Sequence, residues 1–295
     1  MVSVKKPEMR MAKSERNSNF ENRNHNLSAA IVPLVPSCSF FHLSKSFASR
    51  RSDFGFQRSL AFLLLLISSL LAQSATAPLK ICLLSASAEY QSDKSLAEFQ
   101  TYLESHYQVV CHRAFGKDKG DNLPGLEALD SADLMIVFTR RVKLPPAQLG
   151  QIQKYIARGH PIMGLRTASH AFENYLEFDR QVLGGDYKGH YTNSIAEVIL
   201  AAGQAGHPVL AGVKPFASRK LYKNPSLPPD DTVLLEGTIP SHKEPVAWVR
   251  QHNGQRVFYT SLGTQEDFTQ ASFRTLLINA IFWATQREES AFRRP

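Results

Sequence analysis

The sequence predicts an α/β fold in which a mainly parallel sheet is covered by helices on both faces. Nearly continuous apolar runs follow Leu79, amphipathic stretches of helical period separate them, and turn-forming residues mark their ends. Strands that are apolar along their whole length are buried on both faces, which is typical of parallel strands joined by helices. Because such crossovers are right-handed, few topologies remain beyond a flavodoxin-like three-layer sandwich.

The first half of this region alternates strands with helices. The apolar runs predict strands at 79–85, 107–115, 133–139 and 161–165. Apolar residues that recur on one helical face predict helices at 95–106 and 146–159. Pro146 suits the first turn of the second helix and Gly159 suits its C-cap.

The second half contains shorter strands and one long closing helix. The predicted strands are 194–200, 232–237, 245–250 and 256–262. An Asn253-Gly254 pair between the last two predicts a hairpin. The closing helix is predicted over 271–288, so 78–288 is interpreted as one domain with 289–295 as a tail.

The leading residues differ in composition from this body. Residues 1–59 hold ten Lys and Arg against four Asp and Glu, so most of the formal net charge of +8 lies there. We therefore expect no nucleic-acid partner, and we interpret 1–59 as a disordered or mis-assigned extension. Residues 60–77 combine an uncharged apolar run with preceding arginines and following small residues, which predicts a signal peptide. The protein is then exported, to the periplasm or outside the cell, with membrane contact only through this segment; an uncleaved anchor is the alternative.

Cys82 and Cys111 lie within predicted strands. They are expected to be small buried residues, and a disulfide between neighbouring strands is the alternative.

The most informative stretch for function is 161–173, where a strand passes through Gly164 into a sharp turn. This pattern is typical of a nucleophile elbow, which places side chains at the carboxyl ends of the strands. Arg166 offers a fork of donors that suits hydroxyls, carboxylate or phosphate, and a structural ion pair is the alternative. With Ser169 beside it, His170 is a candidate general base or ligand contact, or a structural histidine.

The elbow is followed by segments whose order and spacing resemble the ThuA-like (trehalose utilisation) family over 79–285. These segments are 183–191 (LGGDYKGHY), 207–213, 244–250, 256–268 and 273–284. The resemblance implies a class I glutamine amidotransferase-like fold and an association with sugar utilisation.

The amidotransferase machinery itself is not expected. Arg166 stands at the position of the nucleophilic cysteine, and Thr264-Gln265-Glu266 stands where the amidotransferase has His-Pro-Glu. Many ThuA-like members resemble Ser-Leu-Gly-His where this chain has Thr264. A nucleophile with an oriented base is the minimum for acyl transfer, so glutaminase or cysteine peptidase activity is not predicted.

Further candidates lie in the glycine-rich loop and at the end of the last strand. Aromatic, acidic and imidazole groups in such a loop suit a sugar, although an ordinary turn is the alternative. Acidic residues after the last strand are either ligand contacts or helix caps. The assigned substrate-binding residues are Arg166, Ser169, Asp186, Tyr187, Thr264 and Asp267, and the candidate catalytic residues are His170, His190 and Glu266.

Two functions from different classes follow. The first is an exported protein that binds or processes a small carbohydrate at the carboxyl ends of the strands. The second is a non-catalytic scaffold that binds a protein partner. No nucleotide cofactor is expected and no residue is assigned as a metal ligand, but a divalent metal held by His170, Asp186 and His190 is left open, as is a homo-oligomer.

Overall fold

The computed structural model describes residues 77–252 and 254–295. The extension predicted at 1–59 and, Ala77 apart, the signal peptide predicted at 60–77 lie outside the described residues. Within the described part, no helix is both long and apolar enough to span a bilayer.

One mixed sheet of nine strands organises the described residues, in the order β2-β1-β3-β4-β9-β8-β7-β5-β6. The strands are Leu79–Ala86 (β1), Val109–Phe115 (β2), Leu134–Thr139 (β3), Ile162–Leu165 (β4), Ile195–Leu200 (β5), Phe216–Arg219 (β6), Thr232–Ile239 (β7), His242–His252 (β8) and Gln255–Thr260 (β9). The strands from β2 to β9 in this order are parallel, whereas β8, β7, β5 and β6 pair antiparallel.

The prediction of a mainly parallel sheet is therefore wrong, and short connections explain the difference. Only a few residues join β7 to β8 and β8 to β9, and such lengths permit hairpins but no helical crossover. His252 pairs with Gln255, so the predicted hairpin is confirmed, although Asn253 lies outside the described residues. Gly254 supplies the positive φ of +82° that this tight turn requires.

Helices cover both faces of the sheet. They span Ser92–His106 (α1), Pro146–Ala157 (α2), Gln265–Thr269 (α3), Ala271–Thr285 (α4) and Glu289–Phe292 (α5). The closing helix ends before the predicted 288 because Gln286 adopts a left-handed φ of +56° as its C-cap. In the predicted tail, α5 buries Phe292 against the core.

Two apolar clusters lie on opposite faces of the sheet. Ile81 belongs to the same cluster as Phe273 of α4, while the next residue, Cys82, belongs to the cluster of Ile152 in α2. Cys82 and Cys111 are buried and free, which confirms the first of the two interpretations. Because both faces are filled, polar side chains that act on a ligand must lie at the strand ends.

Candidate functional site

The chain makes the predicted sharp turn where β4 ends. Arg166 adopts a φ of +46°, a left-handed conformation that few residues other than glycine adopt, and a short 3₁₀ helix covers Arg166–His170. Gly164 is required before it, because a Cβ atom there would approach the side chains of Leu183 and Tyr259 to 2.9 Å. The elbow geometry is present, and the 3₁₀ helix begins at Arg166 itself.

The Arg166 side chain points into the protein. Only 1% of the residue is exposed. Its guanidinium donates to the backbone carbonyl of Ser261 and to those of Arg219 and Lys220, at 3.3 and 3.1 Å. Among the described residues no carboxylate forms an ion pair with it. Arg166 therefore ties the elbow to the ends of two other strands by its carbonyl contacts.

A row of stacked side chains, which we call the aromatic row, runs across this edge of the sheet. The Arg166 guanidinium carbon lies 4.3 Å from the ring centre of Tyr90 and 4.6 Å from that of Tyr222. The Tyr222 ring lies 4.6 Å from Tyr187, which stacks on His170 at 4.6 Å and 18°. Stacks of rings and a guanidinium are favourable in a buried setting. The row separates two clefts.

The first, the His170 cleft, has a volume of about 550 Å³. Its polar lining includes Ser169, His170, Asp179, Asp186, Tyr187 and Lys188. An adjoining hollow of about 390 Å³ shares Ser169 and His170 with it. The elbow and the glycine-rich loop thus both line this cleft.

His170 is held as a neutral hydrogen-bond acceptor. Its Nδ1 lies 3.0 Å from Ser169 Oγ, and the Ser169 hydroxyl donates to the carbonyl of Arg166. In the tautomer that is compatible with both contacts, Nδ1 carries the proton and the lone pair lies on Nε2. Burial, reinforced by the charges of Arg140 and Arg141, lowers the pKa of His170 to about 4. A base so weak is better suited to accepting hydrogen bonds than to carrying protons near neutral pH.

The loop side of the cleft is charged. Asp186 forms an ion pair of 2.9 Å with Lys188 while part of its side chain stays exposed. The backbone N–H of Tyr187 donates to Asp179 Oδ2 at 3.0 Å, which holds the ring of Tyr187 over His170. Asp179 was not predicted. Gly185 is the signal that could have revealed it, because a Cβ there would collide with Asp179 Oδ1, and paired glycines indicate close approach.

The second cleft, the Glu266 cleft, has a volume of about 290 Å³ and lies on the other side of the aromatic row. It includes Glu89, Tyr90, Gln91, Lys220, Thr264 and Glu266. Thr264 caps α3 by accepting from the N–H of Asp267. Asp267 itself is fully buried, and its carboxylate accepts from the N–H groups of Gly263 and Thr264.

A family model described as ThuA, trehalose utilisation, matches residues 80–284. The chain belongs to the ThuA family. This confirms the resemblance seen in the sequence. No curated protein is significantly similar to it in sequence.

The solved structures that are similar to the ThuA domain include two ThuA-like proteins. A ThuA-like protein from Bacteroides uniformis has a TM-score of 0.57 at 18% identity, and the match covers 74% of this chain and 96% of that one. A ThuA-like protein from Parabacteroides merdae has a TM-score of 0.55 at 17% identity and covers 70% of this chain and 90% of that one. At such identities the likeness shows the fold alone.

The predicted site residues lie in four different places in the ThuA domain. Ser169, His170, Asp186 and Tyr187 line the His170 cleft, and Thr264 and Glu266 line the Glu266 cleft. Arg166 and Asp267 are buried: the two terminal guanidinium nitrogens of Arg166 and the carboxylate of Asp267 are hydrogen-bonded within the protein, whereas Arg166 Nε has no partner among the described residues. His190 is exposed, pairs its backbone with Tyr222 and lines neither cleft.

The three residues considered as ligands of a divalent metal do not form a metal-binding cluster. Within 77–252 and 254–295, no group of three His, Cys, Asp or Glu side chains is placed to hold an ion. His170 and Asp186 share a cleft, but His190 lies outside it.

The buried Asp179 predicts an unusual pH dependence of stability. Burial raises its pKa to about 6, above the value of about 4 in an unfolded chain. The folded state is therefore penalised progressively as the pH rises from 4 through 6. We expect Asp179→Asn to be more stable than the wild type at pH 8, with an advantage that grows by about 1 kcal/mol between pH 5 and pH 8. Urea unfolding at both pH values measures this.

The exposed Asp121→Asn is the matched control for the loss of one carboxylate and should follow the wild-type pH profile. If the stability of Asp179→Asn follows the wild-type pH profile as well, ionisation of the Asp179 carboxylate does not destabilise the folded state.

Proposed function

We propose that this ThuA-family protein is exported and binds a small carbohydrate, a sugar or sugar derivative, in the His170 cleft. One observation carries the proposal: a neutral imidazole acceptor, a carboxylate and an ammonium face the same cleft beside the ring of Tyr187. Sugar hydroxyls both donate and accept hydrogen bonds, so this mixture of groups suits them. The apolar run within 60–77 supports export.

The family description, trehalose utilisation, supports the same class of ligand. It names no residue and no reaction, so the choice of cleft depends on the geometry alone. The partly exposed Asp186 supplies acceptors, Lys188 supplies donors, and His170 Nε2 supplies an acceptor that has no partner among the described residues.

Binding is better supported than covalent catalysis. Ser169 lies beside His170, but no carboxylate of the described residues accepts a hydrogen bond from that histidine, and its low pKa leaves it a weak base. The residue at the nucleophile position, Arg166, has its guanidinium engaged by carbonyls and rings. That engagement is the observation in favour of the alternative, a scaffold that binds a protein partner.

Calorimetric titration of the full-length chain with mono- and disaccharides tests the proposal. His170→Phe keeps a ring to stack on Tyr187 but removes Nε2, so we expect it to weaken the binding of a sugar about tenfold. Because the imidazole is neutral down to about pH 4, the ratio of the two Kd values should persist from about pH 8 to pH 5. An acceptor histidine with an ordinary pKa would lose its contribution near pH 6.5.

The exposed His112→Phe is the matched control and should bind as the wild type does. A panel in which no sugar binds, or in which His170→Phe binds as tightly as the wild type, contradicts the proposed site. The first of these results would favour the scaffold.

A further inference from the structure

The Glu266 cleft has no part in the proposed sugar site. It shares no lining residue with the His170 cleft, and the aromatic row lies between them. Its walls come from the residues after β1, from the end of β6 and from the turn after β9. The carboxyl ends of parallel strands are where ligands bind in folds of this kind.

Two opposite charges line this cleft without neutralising each other. Glu89 is already paired with Lys220 at 2.8 Å. Arg219 and Glu266 are exposed, and neither forms an ion pair with any described residue. The backbone N–H of Glu266 lowers the pKa of its carboxyl, and the positive charge of Arg219 acts in the same direction, so the carboxylate stays ionised.

Strained backbone surrounds the same cleft. Gln91, Asn193 and Lys220 all line it, with φ values of 48°, 52° and 58°. A left-handed conformation is unfavourable for a residue other than glycine, and such residues cluster where a ligand is held. The Gln91 amide also donates to Gln265 Oε1 at 3.1 Å, which joins two walls of the cleft.

We propose that the Glu266 cleft binds a small zwitterion whose ammonium group contacts Glu266 and whose carboxylate contacts Arg219. A neutral sugar would leave both charges partly desolvated and unpaired. A ligand with one charge would satisfy only one of them. A molecule that carries both charges pairs each with its opposite, and the Arg219 guanidinium can hold a carboxylate by two parallel hydrogen bonds.

Calorimetric titration of the full-length chain with three probes of increasing charge separation, glycine, β-alanine and 4-aminobutyrate, tests this. Propionate and propylamine, each of which lacks one of the charges, are the matched ligands. We expect at least one zwitterion to bind and both singly charged analogues to bind at least about tenfold more weakly. Equal binding of an analogue, or no binding by any of the three zwitterions, overturns the proposal.

Substitutions of the two charged residues test whether the zwitterion binds in the Glu266 cleft. Arg219→Gln and Glu266→Gln should each weaken zwitterion binding at least about tenfold. The double reversal Arg219→Glu with Glu266→Arg should recover part of the loss, because the ligand can bind in the opposite orientation. The exposed Lys143→Gln and Glu98→Gln are controls for the loss of one charge. If either single variant, Arg219→Gln or Glu266→Gln, binds the zwitterion as tightly as these controls, the proposal is overturned. This holds whatever the result of the sugar titrations.

Discussion

Replacing Arg166 with Met is expected to lower the free energy of unfolding by about 4 kcal/mol, which is within the range for breaking a buried network. The substitution keeps a long, unbranched side chain but removes the guanidinium. The buried backbone carbonyl of Ser261 and the part-buried carbonyls of Arg219 and Lys220 then lose a donor. A buried acceptor left without a partner costs about 1 to 3 kcal/mol.

The aromatic row adds to this loss. The guanidinium lies between Tyr90 and Tyr222, at 4.3 and 4.6 Å from the ring centres, and desolvated contacts of this kind contribute about 2 kcal/mol each. Some of this is recovered, because the methionine sulfur also packs against rings. The two contributions share one side chain, so they are not additive.

Urea unfolding measures the change, and Arg141→Met is the matched control. Arg141 follows the neighbouring strand β3 and also has a left-handed φ, +49°, but it is exposed. Its replacement should change stability by no more than about 0.5 kcal/mol. Equal effects of the two substitutions would mean that the buried guanidinium contributes nothing beyond an exposed one.

The sequence predicts the parallel half of the sheet better than the antiparallel half. The strands β1, β3 and β4 are apolar along nearly their whole length, and that pattern indicates both their burial and their parallel pairing through helical connections. The second half was predicted strand by strand, except for Phe216–Arg219, which is too short to show a period. The periodicity of apolar residues indicates a strand but not the direction in which it runs. The hairpins after β7 therefore make the pairing antiparallel without changing the apolar pattern of the strands.

For the site, the sequence predicts which residues follow the strands but not which way their side chains point. Glu266 and Asp267 are adjacent and chemically alike, yet one is exposed in a cleft and the other is fully buried. Successive residues of a helix are about 100° apart around its axis, so the exact start of α3 decides between them. The inward direction of the Arg166 side chain could not be predicted from the sequence either. Its carbonyl partners come from segments that are distant in sequence and that no local pattern connects.

The second large effect is expected at Asp267, whose replacement with Asn should lower the free energy of unfolding by about 3 kcal/mol. Its Oδ2 accepts from the N–H groups of Gly263 and Thr264, each at 2.8 Å, and from the hydroxyl of Ser218 at 2.9 Å. Hydrogen bonds to a charged group contribute about 1.5 to 3 kcal/mol each. The amide oxygen of Asn can take the place of Oδ2 but is neutral, so the three bonds that it accepts are weaker, and the amide NH2 group then faces the donor Gln270 Nε2, from which Oδ1 of Asp267 accepts.

Urea unfolding again measures the loss, and the neighbouring Glu266→Gln provides the control. That substitution makes the same chemical change one residue earlier, on an exposed side chain, and should alter stability by no more than about 0.5 kcal/mol. A large difference between the two variants identifies Asp267 as a structural cap that holds the turn beneath the Glu266 cleft. If Asp267→Asn were as stable as Glu266→Gln, the bonds of Asp267 would not stabilise the turn, and a direct ligand contact would regain support.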